Sequence, residues 1–152
     1  MRTPAFLLAA SLLAMLPTLP AQAAEPAAAA APTPAPVRVV YHFDRDLDQV
    51  VHGINNIRNH LDADPQAQIV VVANGKAVTA FKQGTQTPGG YPLELMVEDL
   101  QGRGVRFEVC ANTLKALALE PKQLIDGLQV VPSGVAEIAR LQFREGYAYI
   151  KP

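Results

Sequence analysis

The chain has no tryptophan, one cysteine and few aromatics of any kind, 6% of its 152 residues. A single cysteine excludes both an internal disulfide and a CxxC redox pair, so packing alone must hold the fold. An excess of either charge is also missing. Lys and Arg number 13 against 14 Asp and Glu, with no basic cluster. That balance offers nothing to nucleic acid and no Lys/Arg block to an anionic membrane surface. Metal ligands are sparse. The three histidines, His42, His52 and His60, and the lone thiol of Cys110 show none of the short spacings of zinc sites. Neither a metal nor a cofactor is expected. A long hydrophobic run is absent too. The stretch Phe6 to Leu16 is interrupted downstream by Pro17 and Pro20 and is short of the roughly 20 residues a bilayer span needs.

That short run has another use. Arg2 supplies a small positive region before it, and Ala21-Gln22-Ala23 supplies a small-x-small cleavage signal after it. Residues 1–23 read as a secretory signal peptide cut after Ala23. The alternative is an uncleaved anchor. Cleavage implies a periplasmic protein with no stable membrane insertion. Residues 24–36 are almost entirely alanine and proline, a spacer with no apolar face to bury. The folded domain is then 37–152, long enough for one core.

Within it, "VRVVYHF" (Val37 to Phe43) and "QIVVVANG" (Gln68 to Gly75) are β-branched runs of the kind covered on both faces. Between them Leu47, Val50, Val51, Ile54, Ile57 and Leu61 recur with helical period, with Asp44 or Asp46 as cap. The pattern repeats. A short apolar segment, Ala77 to Phe81, leads into a Gly/Thr/Gln-rich stretch, Lys82 to Pro92, expected as a mobile loop. Leu93, Met96, Val97 and Leu100 mark a second helix, and "VRFEVC" a third strand. "NTLKALAL" is a short helix, Leu128 to Val131 a fourth strand, and Val135, Ile138 and Leu141 a last helix. "YAYIKP" closes as a short strand. The alternation predicts an α/β domain of three layers, α/β/α, with a mainly parallel sheet of about five strands.

Ligands of open parallel sheets bind outside the carboxyl ends of the strands. Four junctions qualify: His42-Phe43-Asp44, Ala73-Asn74-Gly75, Cys110-Ala111-Asn112 and Pro132-Ser133-Gly134. Which of them are neighbours depends on strand order. Cys110 ends a strand before a helix expected to start near Asn112 or Thr113, where free N–H groups favour a thiolate. A buried cysteine that merely fills core volume is the other reading. Ser133 and Gly134 fit a helix cap and also an anion pocket. "CANTLKA" lacks the glycines and arginine of a rhodanese-like or phosphatase-like loop. "NGKAV" lacks the remainder of a phosphate loop. A cysteine hydrolase would need a partner histidine, and only His42 lies at a strand end. On the first helix, His52, Asn56, Asn59 and His60 form a charge-poor outer face that suits either solvent or a subunit contact.

Taken together, "VVYH", "INNIRNHL", "IVVVANG", "LQGRGVRFEVCANTL" and "VVPSGVAEIARLQFREGYAYIKP" resemble the DsrE/DsrF-like family, of the YchN-like fold. The resemblance runs over most of 37–152 and is closest to an exported single-domain branch. It implies a three-layer domain assembled into trimers or hexamers. It also implies that Cys110 occupies the place of the cysteine that accepts sulfur as a persulfide in cytoplasmic sulfur-relay members. The expectation is a periplasmic homo-oligomer that carries or transfers sulfur on Cys110 between a donor and an acceptor protein. His42, Asn74, Gly75, Asn112, Thr113, Ser133 and Gly134 are the pocket candidates. The alternative is a non-catalytic oligomeric binding module that uses the same strand-end pocket. A metal-binding protein built on the histidines is a third reading.

Overall fold

Short β-branched runs form the strands: β1 (Arg38–Phe43), β2 (Gln68–Ala73), β3 (Arg106–Cys110), β4 (Gln129–Val131) and β5 (Ala148–Ile150). These come from a computed structural model that describes residues 35–152. The expected signal peptide and the linker up to residue 34 lie outside the described residues. All strand pairings are parallel, in the order β4-β3-β2-β1-β5. The sheet therefore has the five strands and the parallel sense expected. Phe43 stands opposite Ala73, Ala73 opposite Val109, and Cys110 opposite Val131.

Four helices connect them: α1 (Leu47–Ala63), α2 (Leu93–Gly102), α3 (Ala111–Ala116) and α4 (Gly134–Glu145). Asp46 caps α1 by accepting from the Gln49 N–H at 3.1 Å. Val50, Ile54, Ile57 and Leu61 form its buried stripe. Two short 3-10 turns, Gly75–Phe81 and Pro121–Gln123, fill the remaining connections. The stretch before α2 is a hydrogen-bonded hairpin. Thr87 N–H donates to the Tyr91 carbonyl at 2.8 Å and Leu93 N–H to the Thr85 carbonyl at 2.9 Å.

Handedness explains the layers. From β1 to β4 the chain steps across the sheet in one direction, so right-handed crossovers place α1, α2 and α3 on one face. The step from β4 to β5 runs back past β1, and the same rule sends α4 to the opposite face. The packing agrees. Val39, Tyr41, Phe43, Val71 and Phe107 join the α1 and α2 stripes and Leu114 of α3 in one large cluster. Val40, Val70 and Val72 meet Ile138 and Leu141 of α4, with Tyr147, in a small one. No helix among the described residues is long and apolar enough to cross a membrane.

Candidate functional site

Strand order decides which junctions meet. β3 hands its chain to α3 on one face, while β4, beside it, hands its chain to α4 on the other. In open α/β sheets ligands bind where adjacent connections diverge in this way, at the carboxyl ends of the strands. Cys110 ends β3 at that point, and Ser133-Gly134 leads out of β4.

The period of two along β3 puts Arg106, Glu108 and Cys110 on the α4 side, while Phe107 and Val109 enter the large core. Cys110 is 6% exposed. It is itself the cap residue of α3, which starts at Ala111 rather than at Asn112 or Thr113. Two opposed effects act on its thiol. Burial, the larger single influence, pushes the pKa up. The N–H groups of Gly134, Thr113 and Asn112 and the Thr113 hydroxyl, facing the sulfur, favour the thiolate and together outweigh it, so the thiol sits below its ordinary value. Gly134, first residue of α4, belongs to an element 24 positions downstream. A side chain there is unwelcome: a Cβ on Gly134 would lie 3.2 Å from Cys110 Cβ, 3.3 Å from Asn74 Cβ and 3.4 Å from Val72 Cγ1. The missing side chain is what lets the α4 N-terminus reach the sulfur. Ser133 holds that terminus by accepting from the Ala136 N–H at 3.5 Å.

Gly75 orients the other donor. Its N–H donates to Thr113 Oγ1 at 3.2 Å, which leaves the Thr113 hydrogen for Cys110. Gly75 has φ of +54°, and a Cβ would meet the Asp44 carbonyl oxygen at 2.8 Å, so glycine is required twice over.

On the β1 side, His42 Nε2 lies 3.1 Å from Asn74 Oδ1 and its Nδ1 lies 2.8 Å from the Tyr149 hydroxyl. Of the seven pocket candidates, Asn112, Thr113 and Gly134 lie at Cys110, Ser133 caps α4, Gly75 binds Thr113, and Asn74 and His42 stand at the ends of β2 and β1. Sequence reasoning missed two residues. Tyr149 reaches the site from β5 because β5 pairs with β1. Glu108, 3% exposed, is the charged residue on β3 two positions before Cys110. Its Oε1 accepts from Arg106 Nε at 2.8 Å and its Oε2 has no partner. Burial raises its pKa, opposed by Arg106. A carboxylate between the apolar Phe107 and Val109 of a strand was the available signal.

The α1 face divides. His52 and Asn59 are exposed and Asn56 is half-buried, but His60 folds back, its Nδ1 3.0 Å from the Tyr41 hydroxyl. No group of three or more His, Cys, Asp or Glu that could hold a metal occurs among the described residues. Several clefts lie away from Cys110. One of about 550 Å³ is lined by Val51, Arg58, Tyr91 and Met96, among others. One of about 340 Å³ lies at the opposite end of the sheet, by Gln68, Arg106 and Tyr147.

Comparison with known proteins agrees with this architecture. The family model described as DsrE/DsrF-like matches residues 39–152. A protein of unknown function from Methanobacterium thermoautotrophicum, MTH1491, has a solved structure that superposes with a TM-score of 0.67 at 37% identity, over 76% of this chain and 99% of that one. The ychN protein of E. coli superposes with a TM-score of 0.65 at 17% identity over the same shares, a likeness of fold. No curated protein matches the chain. With three quarters of its length matched by the family model and a relative of 37% identity that shares its fold, the chain belongs to the DsrE/DsrF-like family.

Proposed function

We propose that this protein is a sulfur carrier, exported to the periplasm, that holds sulfur as a persulfide on Cys110. One observation carries the reading: two helix starts, Gly134 on α4 and Asn112 and Thr113 on α3, meet at Cys110 on the end of β3, close enough that a Cβ on Gly134 would lie 3.2 Å from Cys110 Cβ. Donors so placed favour sulfur in its anionic form, the form that attacks. A cysteine that only filled core volume would gain nothing from them. The reading includes a homo-oligomer, a trimer or a multiple of one, and partner proteins that give and receive the sulfur.

The test is the rate of iodoacetamide alkylation against pH in the native protein, with Cys110→Ser as blank. The expected midpoint lies below the free-cysteine value of about 8.5. Incubation with a sulfane-sulfur donor should add the mass of one sulfur atom, absent in the variant. A thiol that reacts with neither reagent until the protein is denatured would make Cys110 a packing residue and leave a non-catalytic binding module. Intact mass of the exported form checks cleavage after Ala23. Light scattering checks the oligomer, and a monomer at tens of micromolar, on the order of weak-association affinities, would remove it.

A further inference from the structure

Beside Cys110, three polar side chains form a hydrogen-bonded chain that, with one hydrogen on the His42 ring, runs in one direction. An amide oxygen can only accept, so His42 Nε2, 3.1 Å from Asn74 Oδ1, carries a hydrogen. In the neutral ring Nδ1 is then a lone pair, and the Tyr149 hydroxyl 2.8 Å away donates to it. The order is Tyr149 O–H to His42, then His42 N–H to Asn74. The Asn74 backbone N–H is also committed, to the Phe43 carbonyl at 2.9 Å. What remains of Asn74 is its side-chain Nδ2 and two hydrogens, without a protein acceptor among the described residues. With Oδ1 tied toward β1, the planar carboxamide turns Nδ2 away from β1. Beyond β2 on that side stands β3, and Asn74 and Cys110 both touch the space at Gly134.

We propose that Tyr149 and His42 are positioning residues that aim the Asn74 amide N–H groups at the sulfur arriving on Cys110. The inference rests on the carrier reading and extends it to the donor, a hydropersulfide. In that step the Cys110 thiolate attacks the outer sulfur of R–S–SH. A bond forms between Cys110 Sγ and that sulfur, the S–S bond of the donor breaks with its electron pair going to the inner sulfur, and R–S⁻ leaves. The proton stays on the transferred sulfur, giving Cys110–S–SH, with no net oxidation. The thiolate before the step is held by Gly134, Thr113 and Asn112. Asn74 serves the outer sulfur. Loading should therefore depend on the Tyr149–His42–Asn74 chain in a way that ionisation of the free thiol does not.

The experiment uses the full chain and two readouts: the pH midpoint of iodoacetamide alkylation, and the rate of single-sulfur loading from cysteine hydropersulfide by mass spectrometry. Tyr149→Phe and His42→Leu should each slow loading roughly five-fold, the size of one lost hydrogen bond, with the alkylation midpoint unmoved. His42→Gln, whose amide can donate to Asn74 and accept from Tyr149, should recover most of the rate. Should His42→Leu fail to fold, Tyr149→Phe still decides, since it removes one hydroxyl from a residue 41% exposed. If the wild type loads and Tyr149→Phe loads equally fast, the positioning role is overturned and the carrier reading stands. If midpoint and rate shift together, the chain acts through the thiolate and the proposal is again overturned. If the wild type takes no sulfur at all, the carrier reading falls and this proposal falls with it.

Discussion

The two faces of the sheet are built differently. On the α1 and α2 side every inward strand position is apolar, and Phe43, Phe81 and Phe107 pack in series with ring centroids 6.5 and 6.0 Å apart. On the α4 side one helix covers the middle of the sheet through a cluster of six residues. The neighbouring positions are His42, Arg106, Glu108 and Cys110. Arg140 binds Glu137 at 2.5 Å and also Glu145 across the same helix. One face supplies stability and the other keeps the polar groups. The division is economical: chemistry needs donors, an opening and a charge held at some cost, and such features weaken a core.

The largest effect should come from breaking the apolar face. Phe107→Ala removes a ring buried on all sides and should cost about 3–5 kcal/mol in denaturant unfolding. Leu141→Ala on the α4 side should cost about 2–3 kcal/mol, the lower part of the range for such truncations, because one thin layer can settle into the gap. Equal losses would mean that the two faces contribute alike, and the division argued above would fail.

A smaller effect should come from removing the charge buried on the α4 side. The Glu108 pKa is raised by burial, with Arg106 opposing. The folded state therefore holds the Glu108 proton more tightly than the unfolded chain does. The stability this gives is fully present below the unfolded glutamate value of about 4.3 and is lost as pH rises through the folded one. Glu108→Gln cannot titrate, so it should flatten stability against pH above that point. At pH 8 it should be more stable than the wild type by about 1 kcal/mol, on the order of one unpaired buried polar atom. A variant less stable than the wild type at pH 8 would mean that the Arg106 pair outweighs the burial.

How much of this was legible in the sequence follows the same division. The apolar face was readable because its residues repeat with the period of their element: Val50, Ile54, Ile57 and Leu61 on α1, and the runs of β1 and β2. The strand-end rule picked out Cys110, His42, Asn74 and Gly134 one junction at a time. It could not bring them together, because adjacency comes from strand order, and only the fold sets β1 to β4 side by side and returns β5 to β1. Tyr149 was invisible for the same reason. The helix start credited to Cys110 was only half of the answer. A six-residue helix follows the thiol, but one of the N–H groups that favour the thiolate comes from α4. No local pattern signals a donor 24 residues away.

The smallest change that sharpens the comparison is one methyl group, in Gly134→Ala. Position 134 begins a helix, where alanine is intrinsically favoured over glycine by up to about 1 kcal/mol. Against this, the new Cβ would sit 3.2 Å from Cys110 Cβ, 3.3 Å from Asn74 Cβ and 3.4 Å from Val72 Cγ1. The first two belong to strand ends fixed by the sheet, so α4 is the element that must give, by a few tenths of an ångström. The two terms nearly cancel in stability, and unfolding should change by less than about 1 kcal/mol. The site should register what stability does not. A retreat of α4 lengthens the Gly134 N–H bond to the sulfur while burial, which opposes ionisation, stays. The alkylation midpoint of Cys110 should therefore rise toward the ordinary thiol value, with the fold intact by circular dichroism. An unmoved midpoint would mean that the α3 donors alone hold the thiolate and that the joint between the two helix starts has no part in it.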